Sequence, residues 1–493
     1  MIKNLNTDNK WKKINYRTIV TALGMEFLHD LYNRHFSNVN SIRFRNTLLY
    51  CKGTEVSSYA PTHEWDFLAK WFGERFIRGE SDLWEEVESY IADPKEKLKK
   101  VLKKIKLTDI NEVDDMGLGL MLIDFHYIVL SVIYKINLVQ IEHALNYAIN
   151  QLFKKYFKDE NKRNQIISSL IFSKKPTVAI LEKRSFFKIV ILGLNKKIDK
   201  IKTNDHSKIH DLIKKHYNQY RYVHSAYGAK PYNFEYYIKR YNILAKHKIK
   251  KLNLIIKELD DSFKKSLNLK MKYYKLIKND KILKKNIDLI TKIGTLRDKN
   301  KALLGTTIEI RENIFKEISK RKKINLDKLN YYFLVELCDL LSDNKKVKDK
   351  EIQKRKKGVV IYRKEYVSTN LKTAQDMLNN KSISNLKGVC ASKGDVKGIV
   401  KIINNIKDVY KMTKGDIMVA KGTDFDLIGA MQIASGIITE EGGLLSHASV
   451  ICRERGIPCI IGVENATNLL KDGNLIQMSS SKGCIKIIKG GKK

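Results

Sequence analysis

The chain has 493 residues, with 94 lysines and arginines against 54 aspartates and glutamates, a formal charge of +40, and 43% hydrophobic residues. With five prolines and 26 glycines, that composition excludes a collagenous, linker-dominated or disordered polypeptide and supplies apolar material for several packed domains. The six cysteines form no CxxC pair, so neither a disulfide framework nor a zinc site is expected, no metal ligand set is assigned, and a reducing cytoplasm fits.

Taken in chain order, the first part reads as helix. Residues 17–36, 64–91, 116–157, 207–220, 234–276, 282–321 and 326–341 are the helical candidates. Within them Ile249, Leu252, Ile256, Leu259 and Phe263 recur at three- and four-residue intervals, which lines one face for packing. The apolar run 116–134 carries Asp124 and His126 in its middle and ends at Lys135, so a buried helix is expected and no membrane association. The opening MIKNLNTDNKWKK lacks an apolar core for export, which predicts a cytoplasmic protein. Breaks fall at Ser173-Lys174-Lys175-Pro176 and Gly228-Ala229-Lys230-Pro231, because proline disfavours helix in the residue before it.

The Lys-rich segment 343–357 reads as a solvated stretch, and residues 379–387 as a connection. Beyond Gly388 short β-like runs punctuated by glycine take over: 396–404, 417–420, 436–439, 459–463, 475–478 and 484–488. The expected fold is therefore multidomain. A mostly α-helical N-terminal region covers 1–380, with a possible subdivision near 175, followed by a linker at 381–387 and a C-terminal α/β unit at 388–489. Residues from Gly388 onward account for only +5 of the charge. The excess is spread over the helical region without an Arg/aromatic motif, so nucleic acid is not expected as a partner.

The stretch Thr439-Glu440-Glu441-Gly442-Gly443-Leu444-Leu445-Ser446-His447-Ala448 reads as strand, glycine turn and helix start, with Ser446 as the N-cap. Gly456 and Pro458 end that helix. An imidazole at this place either caps and packs the helix start or takes up a phosphoryl group. For the second role, a neutral ring nitrogen is nucleophilic near pH 7, and the N–H groups of a helix start hold the anionic product.

The surrounding residues favour the second role. Ala391-Ser392-Lys393-Gly394, Val396-Lys397-Gly398, Gly415-Asp416-Ile417-Met418-Val419, Gly442-Gly443, Ser446-His447-Ala448, Arg453-Glu454, Gly456-Ile457-Pro458, Gly462 and Asp472-Gly473 together resemble the phosphohistidine swivelling domain of the phosphoenolpyruvate-utilising enzymes. That family includes pyruvate phosphate dikinase, phosphoenolpyruvate synthase and rifampicin phosphotransferase. The resemblance implies a phosphotransferase working through a phosphohistidine at His447, with Thr439, Gly442, Gly443 and Ser446 shaping the phosphate loop. It matches Arg453 to a motif arginine, which either neutralises phosphate or favours the C-terminal end of its own helix. Leu445 stands where plant dikinases carry a regulatory threonine and Phe425 where many relatives have proline.

No glycine-rich phosphate loop precedes the unit, the β texture before residue 387 is too sparse for an ATP-grasp fold, and no (β/α)₈ barrel fits after it. The expectation is a component with no cofactor of its own. A separate ATP-grasp subunit supplies the phosphoryl group from ATP and Mg²⁺, and a small-molecule acceptor binds the helical region. Candidate acceptor-site residues are His216, Arg221 and His224, at helical spacing, with Arg297 and Arg311 as phosphate cations. Two alternatives stay open: a non-catalytic basic binding or regulatory protein that retains the module, and a phosphoenolpyruvate-dependent phosphocarrier.

Overall fold

Short runs that hold Ile14 and Tyr16, Tyr50, and Val56 and Tyr59 form strands near the start of the chain. The computed structural model describes residues 11–18, 48–52, 55–92, 103, 109–136, 139–223, 232–362, 365–367, 386–403, 406–423, 427–440, 442, 446–463 and 466–490. In it β1 (Trp11–Thr18), β2 (Leu48–Lys52) and β3 (Glu55–Pro61) pair antiparallel, and β4 (Val359–Tyr362) and β5 (Glu365–Val367) extend them into a sheet of order β1-β3-β2-β4-β5. This sheet adds to the sequence reading, which names no strand before residue 387 and finds the β texture there too sparse for an ATP-grasp fold. Its two halves are some 300 residues apart in the chain, a pairing that local periodicity does not report. Residues 17 and 18, expected as helix, end β1; 19–36 lie outside the described residues.

Helices follow: α1 (Thr62–Arg78), α2 (Ser81–Ala92), α3 (Asp115–Ile136), α4 (Val139–Phe153), α5 (Glu160–Leu170), α6 (Val178–Asn195), α7 (Lys208–Tyr220), α8 (Phe234–Leu244), α9 (Ile249–Leu276), α10 (Lys281–Lys322), α11 (Leu326–Leu329), α12 (Leu334–Asp343) and α13 (Asp349–Lys357). The expected helix 64–91 breaks at Gly79, whose φ of +73° suits glycine. The expected 234–276 breaks after Leu244. α7 falls within its expected range 207–220 and is capped by Ser207, whose hydroxyl accepts from the His210 N–H at 3.3 Å. The segment 343–357 is not simply solvated: α13 buries Ile352 and Arg355, and Arg355 donates two hydrogen bonds, at 2.6 and 2.7 Å, to the Glu336 carboxylate of α12. α3 buries Leu118, Leu122 and Phe125 against Ile314 and Ile318 of α10 and Leu337 and Leu341 of α12. Among the described residues no helix is long and apolar enough to cross a membrane.

The C-terminal unit holds β6 (Val389–Ser392), β7 (Asp395–Ile402), β8 (Ile417–Ala420), β9 (Gly436–Thr439), β10 (Cys459–Ile461), β11 (Leu475–Ser479) and β12 (Cys484–Lys489), with α14 (Ile428–Ile433), α15 (His447–Arg455) and α16 (Ala466–Leu469) between strands. The sheet order is β12-β11-β7-β8-β9-β10-β6, parallel from β7 through β10 and antiparallel at both flanks. Val400, Val419, Ile438 and Ile460 pack against Ala466 and Leu470 on one face. On the other, Met418, Ala420, Ile437 and Cys459 join Ala448 and Cys452 of α15 in a core continuous with Ile166, Ile167 and Leu170 of α5. α5 lies against β6 and α9 against α15. Leu386 and Gly388 already bond to the sheet, through the Ile485 N–H and the Gly483 carbonyl; residues 379–385 of the expected connection lie outside the described residues.

Lys270 of α9 is 1% exposed, and its ammonium donates to the Phe172 carbonyl at 2.7 Å. Burial pushes its pKa down to about 8, against the opposing pull of Asp288, with Lys174 adding to the depression. The unfolded chain, with lysine near 10.4, therefore binds more protons than the fold between pH 8 and 10. The cost of charging Lys270 is fully present below pH 8 and fades as pH rises through that window. Lys270→Met is expected to raise stability near pH 7 by about 2 kcal/mol and to flatten the rise between pH 8 and 10, read from urea midpoints of both proteins across pH.

Candidate phosphoryl-carrying site

The loop before α15 starts from a pinned base. Thr439 ends β9 fully buried, and its carbonyl accepts from the Val463 N–H at 3.0 Å. The Glu440 N–H donates to the Ala420 carbonyl at 3.0 Å, and the Glu440 carboxylate accepts from the Thr467 N–H at 2.7 Å and the Thr467 hydroxyl at 2.5 Å. Gly442 then adopts φ +128°. A Cβ there would stand 2.7 Å from the Ser446 hydroxyl oxygen and 2.9 Å from the Ser446 Cβ, so this position has room for a hydrogen alone. Gly443 lies outside the described residues.

Ser446 takes extended cap geometry, φ −66° and ψ 159°, and its hydroxyl oxygen accepts from the Ser449 N–H at 3.4 Å. His447 is the first residue of α15. The leading N–H groups of a helix have no intrahelical partner and carry the positive end of its dipole, so the backbone around His447 favours an anion. Gly456, at φ 67°, closes the helix and returns its N–H to the Cys452 carbonyl.

Ser449 is a site residue that the sequence reading missed. It is fully buried, and its hydroxyl lies 2.9 Å from that of Ser446. The signal for it was its place three residues after the cap, where a side chain returns to the helix start. Arg453 lies in the last turn of α15, six residues and so roughly 120° round the helix from His447. Its charge bears on Cys390 and Cys459. A hydrogen bond with Cys452 and burial push the Cys459 thiol well up, and burial, with Cys459 beside it, pushes Cys390 up to about 11.

The acceptor-site candidates fall into separate surroundings. His216 is buried on α7, with Nε2 3.1 Å from the Glu182 carboxylate and Nδ1 3.1 Å from the Ser185 hydroxyl. Arg221 donates to Tyr222 at 2.7 Å and to the Glu309 carboxylate at 3.1 Å, which ties the end of α7 to α10. Arg311, two residues beyond Glu309, is buried, and desolvation holds its pKa below the ordinary arginine value. Arg297 is also on α10, about 21 Å along the axis from Arg311. His224 lies outside the described residues. Among the described residues no cluster of His, Cys, Asp and Glu forms a metal site.

Comparison with known proteins matches residues 412–483 to the family of the PEP-utilising enzyme mobile domain. The chain is 43% identical over 111 residues to a probable phosphoenolpyruvate synthase of Methanothermobacter thermautotrophicus, covering 22% of this chain and 16% of that protein. It is 43% identical over 101 residues to the phosphoenolpyruvate synthase of Aeropyrum pernix, covering 20% and 12%. Rifampicin phosphotransferase of Bacillus cereus is 30% identical over 188 residues, covering 36% of this chain and 21% of that protein. The chain thus spans less than a quarter of the length of each. The last match is longer than the C-terminal sheet unit, so that likeness reaches into the helical region. The capped helix that His447 heads thus lies within residues 412–483, the part of the chain that matches the PEP-utilising enzyme mobile domain family.

Proposed function

We propose that this chain is a phosphotransferase component in which His447 carries a phosphoryl group from an ATP-grasp donor site on a separate polypeptide to a small molecule bound by the helical region. The observation that carries this reading is the place of His447, first in an N-capped helix of the matched mobile domain, with Gly442 so close to the Ser446 cap that it has room for a hydrogen alone. Support for an acceptor-binding helical region comes from the match to rifampicin phosphotransferase, which extends beyond the mobile domain.

Two in-line transfers make up the reaction. First a neutral ring nitrogen of His447 bonds to phosphorus as the donor's P–O bond breaks. ATP and Mg²⁺ belong to the donor chain. The helix-start N–H groups hold the anionic phosphoryl group, while the Ser446 cap fixes the turn that presents it. Then an acceptor hydroxyl oxygen bonds to phosphorus, the P–N bond breaks with its electron pair returning to the ring nitrogen, and the hydroxyl proton passes to that nitrogen or to water. Between transfers the C-terminal unit leaves its contacts with α5 and α9.

The test is incubation with γ-labelled ATP, Mg²⁺ and extract of the source cells. An acid-labile, base-stable label on the chain, absent from His447→Ala and passing to a small molecule on chase, is the expected result. Label on serine or threonine alone, or undiminished label in His447→Ala, rejects the reading. Loading by phosphoenolpyruvate but not ATP assigns the phosphocarrier alternative.

A further inference from the structure

We propose that Ser185 is an activated nucleophile, its hydroxyl aligned on the buried base His216 for attack on a phosphorus electrophile, at a centre separate from His447 and independent of the reading given for it. Three helices build this centre. α6 places Glu182 and Ser185 one turn apart on the same face. α7 brings the His216 ring between them, 3.1 Å from each, and Phe186, Tyr220 and Tyr237 hold the ring with centroids at 5.0, 4.8 and 5.8 Å. Arg240 of α8 pairs with the Glu182 carboxylate through both terminal nitrogens.

That pairing decides the tautomer. An ionised Glu182 only accepts hydrogen bonds, so Nε2 of His216 carries the ring proton and donates it to the carboxylate. Nδ1 then presents its lone pair to the Ser185 hydroxyl, which donates to it. Base and orienting carboxylate are sealed, with side chains 1% exposed, whereas Ser185 is only partly buried. Exposed Lys188, three residues on, adds positive charge beside it, while the neighbouring Arg184 is neutralised by Asp260 at 2.5 Å. This favours an anionic phosphoryl or phosphonyl compound over a neutral acyl ester.

In the step, Ser185 Oγ bonds to phosphorus, the bond from phosphorus to its leaving group breaks with the electron pair going to that group, and the hydroxyl proton passes to Nδ1. The resulting imidazolium rests on Glu182.

The full chain is incubated with an alkyl fluorophosphonate, which loses fluoride on reaction, and the adduct is mapped by peptide mass spectrometry. Labelling of Ser185 ahead of the other serines is expected, lost in Ser185→Ala and slowed at least about a hundredfold in His216→Asn. If His216→Asn does not fold, the wild type in denaturing urea takes its place, and labelling at Ser185 must vanish there. No adduct on Ser185, or one that forms as fast in His216→Asn or in urea, overturns the proposal.

Discussion

Glu182→Ala is expected to lower the unfolding free energy by about 3–5 kcal/mol, the largest stability loss at any single ion pair described above. Glu182 sits with its side chain 1% exposed and accepts from Arg240 and His216 at once. Burial works against the Arg240 charge, and the Glu182 carboxylate outweighs it, leaving the guanidinium pKa above its ordinary value. Removing the carboxylate leaves that cation packed on the Phe186 ring, 4.4 Å from its centroid, with no anion in the pair. Glu182→Gln keeps an acceptor oxygen and the volume, so its loss should be smaller. Urea unfolding of the three proteins at one pH measures both differences, and equal stability of Glu182→Ala and wild type would refute the assignment.

Gly442→Ala is expected to slow phosphoryl loading of His447 at least tenfold while leaving the C-terminal unit folded, its midpoint lowered by no more than the strain and the lost cap account for. Alanine at φ +128° is strained by about 1–3 kcal/mol, and its methyl group would meet the Ser446 hydroxyl and Cβ inside 3 Å. Relief comes by moving Ser446, which costs about 1 kcal/mol of cap stabilisation and turns the start of α15 away from its working direction. Strain of this size at the loop, expressed in the transfer step, amounts to a tenfold to hundredfold change in rate. Gly119→Ala is the control: its Cβ would meet just the Leu341 Cδ1 at an ordinary 3.8 Å, within a helix that alanine favours. Rate and midpoint measured together separate a local fault in the loop from loss of the fold.

Much of the site was legible because its geometry is local. Thr439, Gly442, Ser446 and Gly456 end a strand, open a turn, cap a helix and stop it, and each does so by residue type at a fixed spacing. The strands 417–420 and 436–439 fall on their expected bounds for the same reason, as short apolar runs between turns. What was not legible depends on distant partners. β4 pairs with β2 across most of the chain. α13 hides an amphipathic helix in a Lys-rich run because Ile352 and Arg355 find α12 and Tyr331. Local spacing placed His216, Arg221 and Arg311 near one another in chemistry. The partners of the first two, Glu182 for His216 and Glu309 for Arg221, come from elsewhere in the sequence.

The most direct measurement is the position and chemistry of a phosphoryl group placed on the purified chain by phosphoramidate, a small donor that needs no partner protein. The account predicts one rapidly formed adduct on the imidazole of residue 447, labile in acid and stable in base, that is missing from His447→Ala and forms slowly in Gly442→Ala. A folded protein in which His447 stays unmodified while other histidines react would contradict it.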